Sequence, residues 1–560
     1  MKLLSRISPA AAGVAVAALL AFTPAFWWGA PTATAPDRKL SWGTDDETPL
    51  GPLAELHNII QPKKDRNLGY PLMYSFMAAG MYAPYLGYLV VSGDFEKVSG
   101  EYPFGLKDPV RALKVLTGLA HFLTVLLGVG IALCVFRTAK LLWDERAGLA
   151  AAGFIVTAYP YFYYARSGNV DVPMTFFVAL ALMSFVWMMK EGITARRGLL
   201  LGAAMGFGLG TKEACYSMFP LIPIALIYFQ YKRGGAGVAW YRRPDVATAV
   251  AGVLAFGFGS GLFIEPSRYF AHLEFHAQLA ELYASGQADH VLREQNLAGY
   301  FGLAVDYLKH LAGTHTWTGL AVIALGVGVM IRRRDGVALI LVGTAVLYLL
   351  LSASRLSIST LRMMLPVSVV FAVAGGYAVR WALDARKPVT YAVLAATAVA
   401  FAWGGLRGAD LTHAMLNDSR YAAAEWLAPR LAAGDRVDHF GGTEKLPPLP
   451  VGVESTRAAP HLSFHKKAPD GPEMQARIKK RWDEDPPKFI VLMPDHAAKH
   501  GPFHHTCPPQ TFRDLESGAL GWDRVQLFQT PSLFPWVQRP KLDYPVVNPP
   551  IRIYAKRGQG

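Results

Sequence analysis

The feature that most limits how this chain can fold is a succession of apolar blocks, each near the thickness of a bilayer and each bordered by a small basic cluster. Runs such as Val115 to Phe136, Val246 to Ile264 and Gly336 to Leu351 approach or reach the roughly 20 residues that carry a helix across about 30 Å of hydrocarbon. A backbone in lipid must satisfy its own hydrogen bonds, so such blocks are read as helices. Composition agrees, with 52% hydrophobic and 17% charged residues and a mean hydropathy of +0.24, too apolar for a soluble protein of this size.

A net charge of +14 could suit a nucleic-acid partner, but the basic residues sit in small groups between apolar runs. They form no stripe with interleaved aromatics, so nucleic acid is excluded and membrane topology explains them better. Cys134 and Cys215 lie in apolar runs and Cys507 stands alone, which implies no disulfide framework and no cysteine zinc site.

The N-terminal apolar stretch runs from Ile7 to Trp28, and Ala33-Thr34-Ala35 has the form of a signal-peptidase site. An uncleaved first helix is the preferred reading, because the stretch is long and ends in the interfacial aromatics Phe26-Trp27-Trp28. Six basic groups then fit one cytoplasmic side: Lys2 and Arg6; Arg137, Lys140 and Arg146; Lys190, Arg196 and Arg197; Lys232, Arg233, Arg242 and Arg243; Arg332 to Arg334; and Arg380, Arg386 and Lys387.

The chain must return between these groups, which predicts about eleven transmembrane helices. They are Ile7–Trp28, Val115–Phe136, Ala147–Tyr164, Val172–Met189, Gly198–Leu209, Ala214–Phe229, Val246–Ile264, Thr316–Ile331, Gly336–Leu351, Met363–Val379 and Val389–Trp403. The fifth and sixth are short and could be a re-entrant pair with Lys212 at its tip. The expected fold is an all-α polytopic membrane domain, residues 1–406, followed by a small extracytoplasmic α/β domain, residues 407–560.

Two large outer loops are expected. Residues 29–109 contain Asp45-Asp46-Glu47 and then an aromatic, apolar stretch read as interfacial helices; residues 265–315 are polar with a helical pattern. The tail gains Pro, Asp and Lys, and Phe489 to Met493, Ile551 to Tyr554 and a helical Tyr421 to Leu431 suggest its α/β character. Gly-rich phosphate loops, repeats and low-complexity tracts are lacking in the sequence.

The three consecutive acids are the most informative polar feature. Carboxylates at a membrane surface can take a proton from a hydroxyl or bind a cation, although a solvated acidic turn would look the same. Arg166, between the third and fourth helices, could hold a phosphate oxygen. Asp171 opens the next helix, where simple dipole complementarity is an equal explanation. Lys212-Glu213 stands between apolar runs as a functional charge or a plain ion pair. Arg355 and Arg362 could clamp a phosphate or snorkel to headgroups. His272 and His276 share a helical face, for which an ordinary polar face is the plainer reading than a metal site.

Taken in order, the acidic pair, Tyr70-Pro71-Leu72-Met73-Tyr74, and Tyr164-Ala165-Arg166 to Asp171-Val172-Pro173 resemble the C-type (GT-C) membrane glycosyltransferases. The protein O-mannosyltransferases and lipid A aminoarabinose transferases look most similar. Gly208-Leu209-Gly210-Thr211-Lys212, Arg362-Met363-Met364-Leu365-Pro366 and Asp418-Ser419-Arg420-Tyr421 to Glu425-Trp426-Leu427 extend the resemblance from about Trp42 to Leu427. The chain departs from it in having the single proline Pro71 and a third acid, Asp45.

This resemblance implies inverting transfer of a sugar from a polyprenyl-phosphate donor to a lipid, glycan or protein acceptor at the outer face of the inner membrane. Asp46 is then the expected base, with Glu47 beside it, and Arg166, Lys212, Arg362 and Arg355 the expected phosphate ligands. A divalent metal ion is a candidate cofactor, with Glu47 or Asp171 as ligands. Asp45, Tyr70 and His276 are further candidates. The rivals are a transporter or flippase, which should show paired halves with mid-depth charges, and a non-catalytic envelope scaffold.

Overall fold

A computed structural model describes residues 8–61, 68–232, 239, 243–284, 294, 296–356, 359–443, 446–459, 472–493, 507–540 and 547–558. Lys2, Arg6, Arg233, Arg242 and the side chain of Arg355 lie outside what it describes. About two thirds of the chain is helical.

Helix occurs in each of the eleven expected stretches, over part or all of its described residues. Among the described residues, five segments are long and apolar enough to cross a membrane: Pro109–Leu142, Asp171–Glu191, Glu213–Lys232, Leu361–Leu383 and Lys387–Arg430. A sixth exists if Leu297–His315 and Trp317–Arg333, bent by 105°, are one span. Pro9–Phe22, Glu145–Val156, Ala195–Thr211 and Pro244–Gly259 are shorter. The expected Ala147–Tyr164 helix breaks after Val156 and resumes as the single turn Tyr161–Tyr164, because Pro160 cannot donate to a continuing ladder.

The ends follow local chemistry. Pro109 and Asp108 open the longest helix, the Asp108 carboxylate accepting from the Arg111 amide at 3.0 Å, and Asp144 does the same for Ala147 at 3.0 Å. The Met364–Leu383 helix is buried almost all round, packed among Glu145–Val156, Trp317–Arg333, Pro109–Leu142 and Lys387–Leu416. That position explains why its sequence is apolar on every face.

Ala195–Thr211 and Pro244–Gly259 pack backbone to backbone. Gly198, Gly202, Gly206 and Gly210 recur every four residues on the contact face. A Cβ at Gly202 would lie 2.0 Å from the Thr248 carbonyl oxygen, and one at Gly206 2.3 Å from that of Gly252. Small residues at this spacing are what let two helices approach in an apolar solvent. The pair carries Lys212 at its end and so fixes where that charge emerges.

The tail holds a five-stranded mixed sheet. Its strands are β1 (Arg436–His439), β2 (Glu454–Arg457), β3 (Phe489–Leu492), β4 (Trp522–Phe528) and β5 (Ile551–Lys556), in the order β2-β1-β3-β5-β4. β1 is parallel to β2 and β3, while β5 is antiparallel to β3 and β4. Every residue of β3 is buried, as expected for a strand covered on both faces. Helices Pro472–Glu484 and Pro509–Glu516 cover one face through Ile478, Trp482 and Leu515, and Ala423 and Leu427 cover the other.

The last long helix runs Lys387–Leu416, so position 406 falls within a continuous helix and the chain changes character at Asn417. There Asp418, fully buried, accepts from Trp28 Nε1 at 3.0 Å and the Asn548 amide at 2.8 Å. This joins the first helix, the last helix and the tail.

Candidate functional site

The turn carrying the three acids sends its carboxylates to different places. Asp45 has a left-handed backbone, φ 52°, a conformation that Asp adopts more readily than most residues. Asp46, 4% exposed, turns inward. Its Oδ1 accepts from the Thr48 hydroxyl at 2.6 Å and amide at 3.2 Å, and its Oδ2 faces His121 Nε2 at 2.8 Å and the Gly168 amide at 2.9 Å. Burial alone would raise this carboxyl, but His121 and the Thr48 and Gly168 donors outweigh it and hold Asp46 below the usual carboxylate range.

Asp45 instead remains one third exposed. Its Oδ2 pairs with Arg362 Nη1 and accepts from the Tyr70 hydroxyl at 3.3 Å. Burial pushes its carboxyl up, and the charges of Arg362 and Lys212 more than reverse this, leaving it below the ordinary range. Tyr70, desolvated beside Asp45, is pushed well above a normal phenol, so its hydroxyl stays a donor.

Two cations complete the cluster. Lys212 follows the Ala195–Thr211 helix with an extended backbone, and its Nζ lies 2.6 Å from Asp171 Oδ1 and 5.4 Å from the centre of the Tyr70 ring. Arg362 sits in the short turn Leu361–Met363 ahead of the central buried helix, 3.9 Å from Asp171 Oδ2. Asp171 thus pairs with cations rather than capping its helix, whose first turn is held by Asn169 accepting from the Asp171 amide at 2.7 Å. Lys212 does not pair with its neighbour Glu213, which meets His272. Asp45, Tyr70, Asp171, Lys212 and Arg362, from five separate segments, therefore converge.

Beside them opens a cleft lined by Asp45, Glu47, Tyr70, Tyr74, Gly168 and Arg268, among others. Glu47 is exposed at its wall. A larger apolar groove, about 650 Å³, lies between the first helix and the end of the last, lined by residues such as Leu20, Phe26, Trp28 and Tyr421. None of the charged cluster lines it.

Arg166 is not part of this cluster. It is fully buried, donating to the Ala21 carbonyl at 2.7 Å and the Thr412 hydroxyl at 3.0 Å, so it fastens the first and last helices. His276 meets the Gly69 carbonyl at 3.1 Å, at the edge of the cluster.

Metal ligation fits poorly at Asp171, because both of its oxygens face cations. Among the described residues no group of three or more His, Cys, Asp or Glu side chains could hold a metal ion. His121, Glu55, Arg268 and the His272–Glu213 pair were not foreseen. The signal for His121 was present, since an ionisable residue inside an apolar run is costly and needs a partner.

Residues 117–256, about a quarter of the chain, match the family described as dolichyl-phosphate-mannose-protein mannosyltransferase. No curated protein matches the sequence. Several solved structures are similar. ArnT from Cupriavidus metallidurans bound to undecaprenyl phosphate is 11% identical with a TM-score of 0.49, the match covering 96% of this chain and 97% of that one. The Archaeoglobus fulgidus oligosaccharyltransferase tethered with an acceptor peptide is 12% identical with a TM-score of 0.45, covering 87% and 69%. Arabinofuranosyltransferase AftD from Mycobacteria is 14% identical with a TM-score of 0.40, covering 97% and 40%. The matched family and these proteins are all GT-C glycosyltransferases.

Proposed function

We propose that this chain transfers a sugar from a polyprenyl-phosphate donor to an acceptor hydroxyl, with inversion at the anomeric carbon. The observation that carries the reading is the convergence of one open carboxylate, Asp45, with two cations, Lys212 and Arg362, beside a cleft. The match of residues 117–256 to a family described by a dolichyl-phosphate-linked donor supports the same donor class.

A sugar on a lipid phosphate already carries a good leaving group, so the protein has to position, accept one proton and stabilise the departing charge. Lys212 and Arg362 hold the donor phosphate. The acceptor oxygen attacks the anomeric carbon, the bond from that carbon to the phosphate oxygen breaks with its electron pair, and Asp45 takes the acceptor proton. In the free enzyme Arg362 and Lys212 make Asp45 a weak base. A phosphate that engages those two cations draws them away from the carboxylate and makes it more basic when the donor is in place.

The expected role of base passes in this reading from Asp46 to Asp45. Every oxygen of Asp46 already faces protein donors and its side chain is buried. Asp46 is a positioning residue for the turn, and Glu47, on the cleft wall, orients the acceptor. No step is assigned to a metal.

The wider reading places the reaction at the outer face of the inner membrane. The support for it is the sequence pattern: with the basic groups on the inner side, as the positive-inside rule has them, the first loop, the 265–315 segment and the tail share the outer side. The test is transfer by purified protein in lipid, using radiolabelled polyprenyl-phosphate sugars, for the native chain and Asp45→Asn, Asp46→Asn and Glu47→Gln. Loss of transfer in a folded Asp45→Asn protein supports the assignment, and full activity of that variant removes it.

A further inference from the structure

The helix Pro266–Ala284 stands beside the cluster without contributing to it, yet three of its side chains grip the segment that carries Tyr70. Arg268, His272 and His276 are four residues apart and share one face. Arg268 Nη2 donates to the Tyr70 carbonyl at 2.9 Å, His276 Nε2 lies 3.1 Å from the Gly69 carbonyl and His272 Nδ1 2.5 Å from that of Leu68. Three successive carbonyls are thus held from one helix. Arg268 is itself fixed by Glu55, 2.6 Å from its Nε.

The second ring nitrogen of His272 meets the Glu213 carboxylate. Glu213 opens the turn that follows Lys212, so one imidazole ties the backbone before Tyr70 to the segment carrying Lys212. Those two residues face each other, Lys212 Nζ over the Tyr70 ring.

Both nitrogens of His272 look at acceptors, a carbonyl and a carboxylate. A neutral imidazole has one donor, and the imidazolium has two. Burial alone would lower the His272 pKa, and the hydrogen bond and charge of Glu213 outweigh this and hold it above the ordinary histidine value. The other titratable or charged groups around the ring are Arg268, Tyr269 and His276 of its own helix.

We propose that this helix face positions the phosphate-binding part of the site, and that His272, bridging Leu68 and Glu213, sets the spacing of Tyr70 and Lys212. The proposal rests on Lys212 being a ligand of the donor phosphate. When the imidazolium loses its proton, one ring nitrogen turns a lone pair to its acceptor, the Leu68 carbonyl or the Glu213 carboxylate, and the bridge opens at that end. Lys212 is then less well placed and phosphate affinity falls, while Asp45 keeps its charge.

The experiment measures binding of polyprenyl phosphate to the full chain in lipid nanodiscs between pH 6.5 and 9, for the native protein, His272→Ala, Glu213→Gln and Lys212→Met. Glu213→Gln is the decisive variant. A neutral glutamine amide can donate to a neutral Nε2 while Nδ1–H keeps Leu68, so the bridge no longer needs the extra proton. The native affinity should fall, relative to that of Glu213→Gln, by roughly tenfold across this range, the worth of one hydrogen bond to a charged group. His272→Ala should bind weakly at every pH.

Superimposable native and Glu213→Gln profiles, or native affinity in His272→Ala, would overturn the positioning role. Lys212→Met would then still lose binding, and the proposed function would stand. A native protein that binds no polyprenyl phosphate at any pH would overturn that function, and this proposal with it.

Discussion

His121 Nε2 lies 2.8 Å from Asp46 Oδ2, and the two side chains are almost wholly buried, 1% exposed each. The other nitrogen of His121 faces the Phe26 carbonyl at 2.6 Å, so the ring stands between a carbonyl and a carboxylate. Through this pair the turn bearing Asp45 is fastened to the longest helix, Pro109–Leu142, and through Gly168 to the segment before Asp171.

Breaking that pair leaves a buried charge without its partner, which typically costs about 3–5 kcal/mol. His121→Ala and Asp46→Ala are each expected to lower thermal stability in detergent strongly, and the double variant to lose less than the sum of the two. Because the folded-state pKa of Asp46 is depressed, its contribution is present above the unfolded carboxylate pKa of about 3.9. It is lost as pH falls through the lower folded value. Asp46→Asn should therefore flatten the acid limb of the stability profile, and an unchanged limb would remove the pair from this role.

Asp45→Asn keeps the shape of the turn and removes the proton acceptor. Transfer should drop by about 10²–10⁴-fold, the usual worth of a positioned base, while the melting temperature changes little, because Asp45 is partly exposed. The depressed pKa of Asp45 keeps it ionised through neutral pH, so native kcat/KM should fall only in strong acid. Arg362→Met removes the first cation that holds this pKa down, and the acid limb should move to higher pH. A limb that stays where it is would show that the titrating group is not Asp45.

Lys212 and Arg362 should differ in how they tolerate exchange. Arg362 faces Asp45 and Asp171 together, and a planar guanidinium spans two acceptors where an ammonium is a point charge. Arg362→Lys is expected to raise the donor KM by at least tenfold, with acceptor KM unchanged, whereas Lys212→Arg should retain most activity. Equal effects on both substrates would count against donor-phosphate binding.

Much of this fold was legible because the bilayer imposes a length and a polarity on each element. Helix occurs in each of the eleven expected stretches, and the tail strands at Phe489 and Ile551 lie where the short strand-like runs put them. The site was legible in part. Lys212 and Arg362 stand out in sequence because a charge beside apolar runs needs a reason, and they meet Asp45 and Asp171. Arg166 carries the same signal, yet it is used to fasten two helices. Sequence separation could not tell these uses apart, since Asp45 and Arg362 are 317 residues apart. Nor could it choose among three adjacent acids, because only the folded turn, left-handed at Asp45, shows Asp46 facing inward and Asp45 meeting Arg362.

The four-residue glycine spacing from Gly198 to Gly210 has a direct consequence. Gly202→Ala drives a methyl to within 2.0 Å of the Thr248 carbonyl oxygen, which backbone shifts alone can relieve. Overpacking of this kind costs about 1–3 kcal/mol or more, and the displaced helix end carries Lys212. Gly328→Ala, in another helix where nothing lies within 4 Å, is the control and should be neutral. A Gly202→Ala protein as stable as that control would mean that the two helices do not approach as described.

The junction at Asp418 makes the last case. Its Oδ1 accepts from the Arg420 amide at 3.1 Å and Nε at 2.8 Å, and its Oδ2 from Arg420 Nη2 at 2.7 Å, Trp28 Nε1 at 3.0 Å and the Asn548 amide at 2.8 Å. Arg420 in turn stacks over Trp42, 3.8 Å from the ring centre, four residues before Asp46. The tail is thereby coupled to the acidic turn through two tryptophans and one ion pair. Trp28→Phe removes one donor to a buried charge, worth about 1.5–3 kcal/mol, and leaves Arg420 and Asn548 in place. Asp418→Ala takes the carboxylate from Arg420, Trp28 and the Asn548 amide together, so it should cost more and make the tail newly sensitive to protease while the helices stay intact. If the coupling is real, Asp418→Ala also lowers transfer although it touches no reacting group, and Trp28→Phe does so less. Equal protease resistance in native and Asp418→Ala proteins would show that the tail is held by its other contacts, such as Arg38 to the Val453 carbonyl at 2.6 Å.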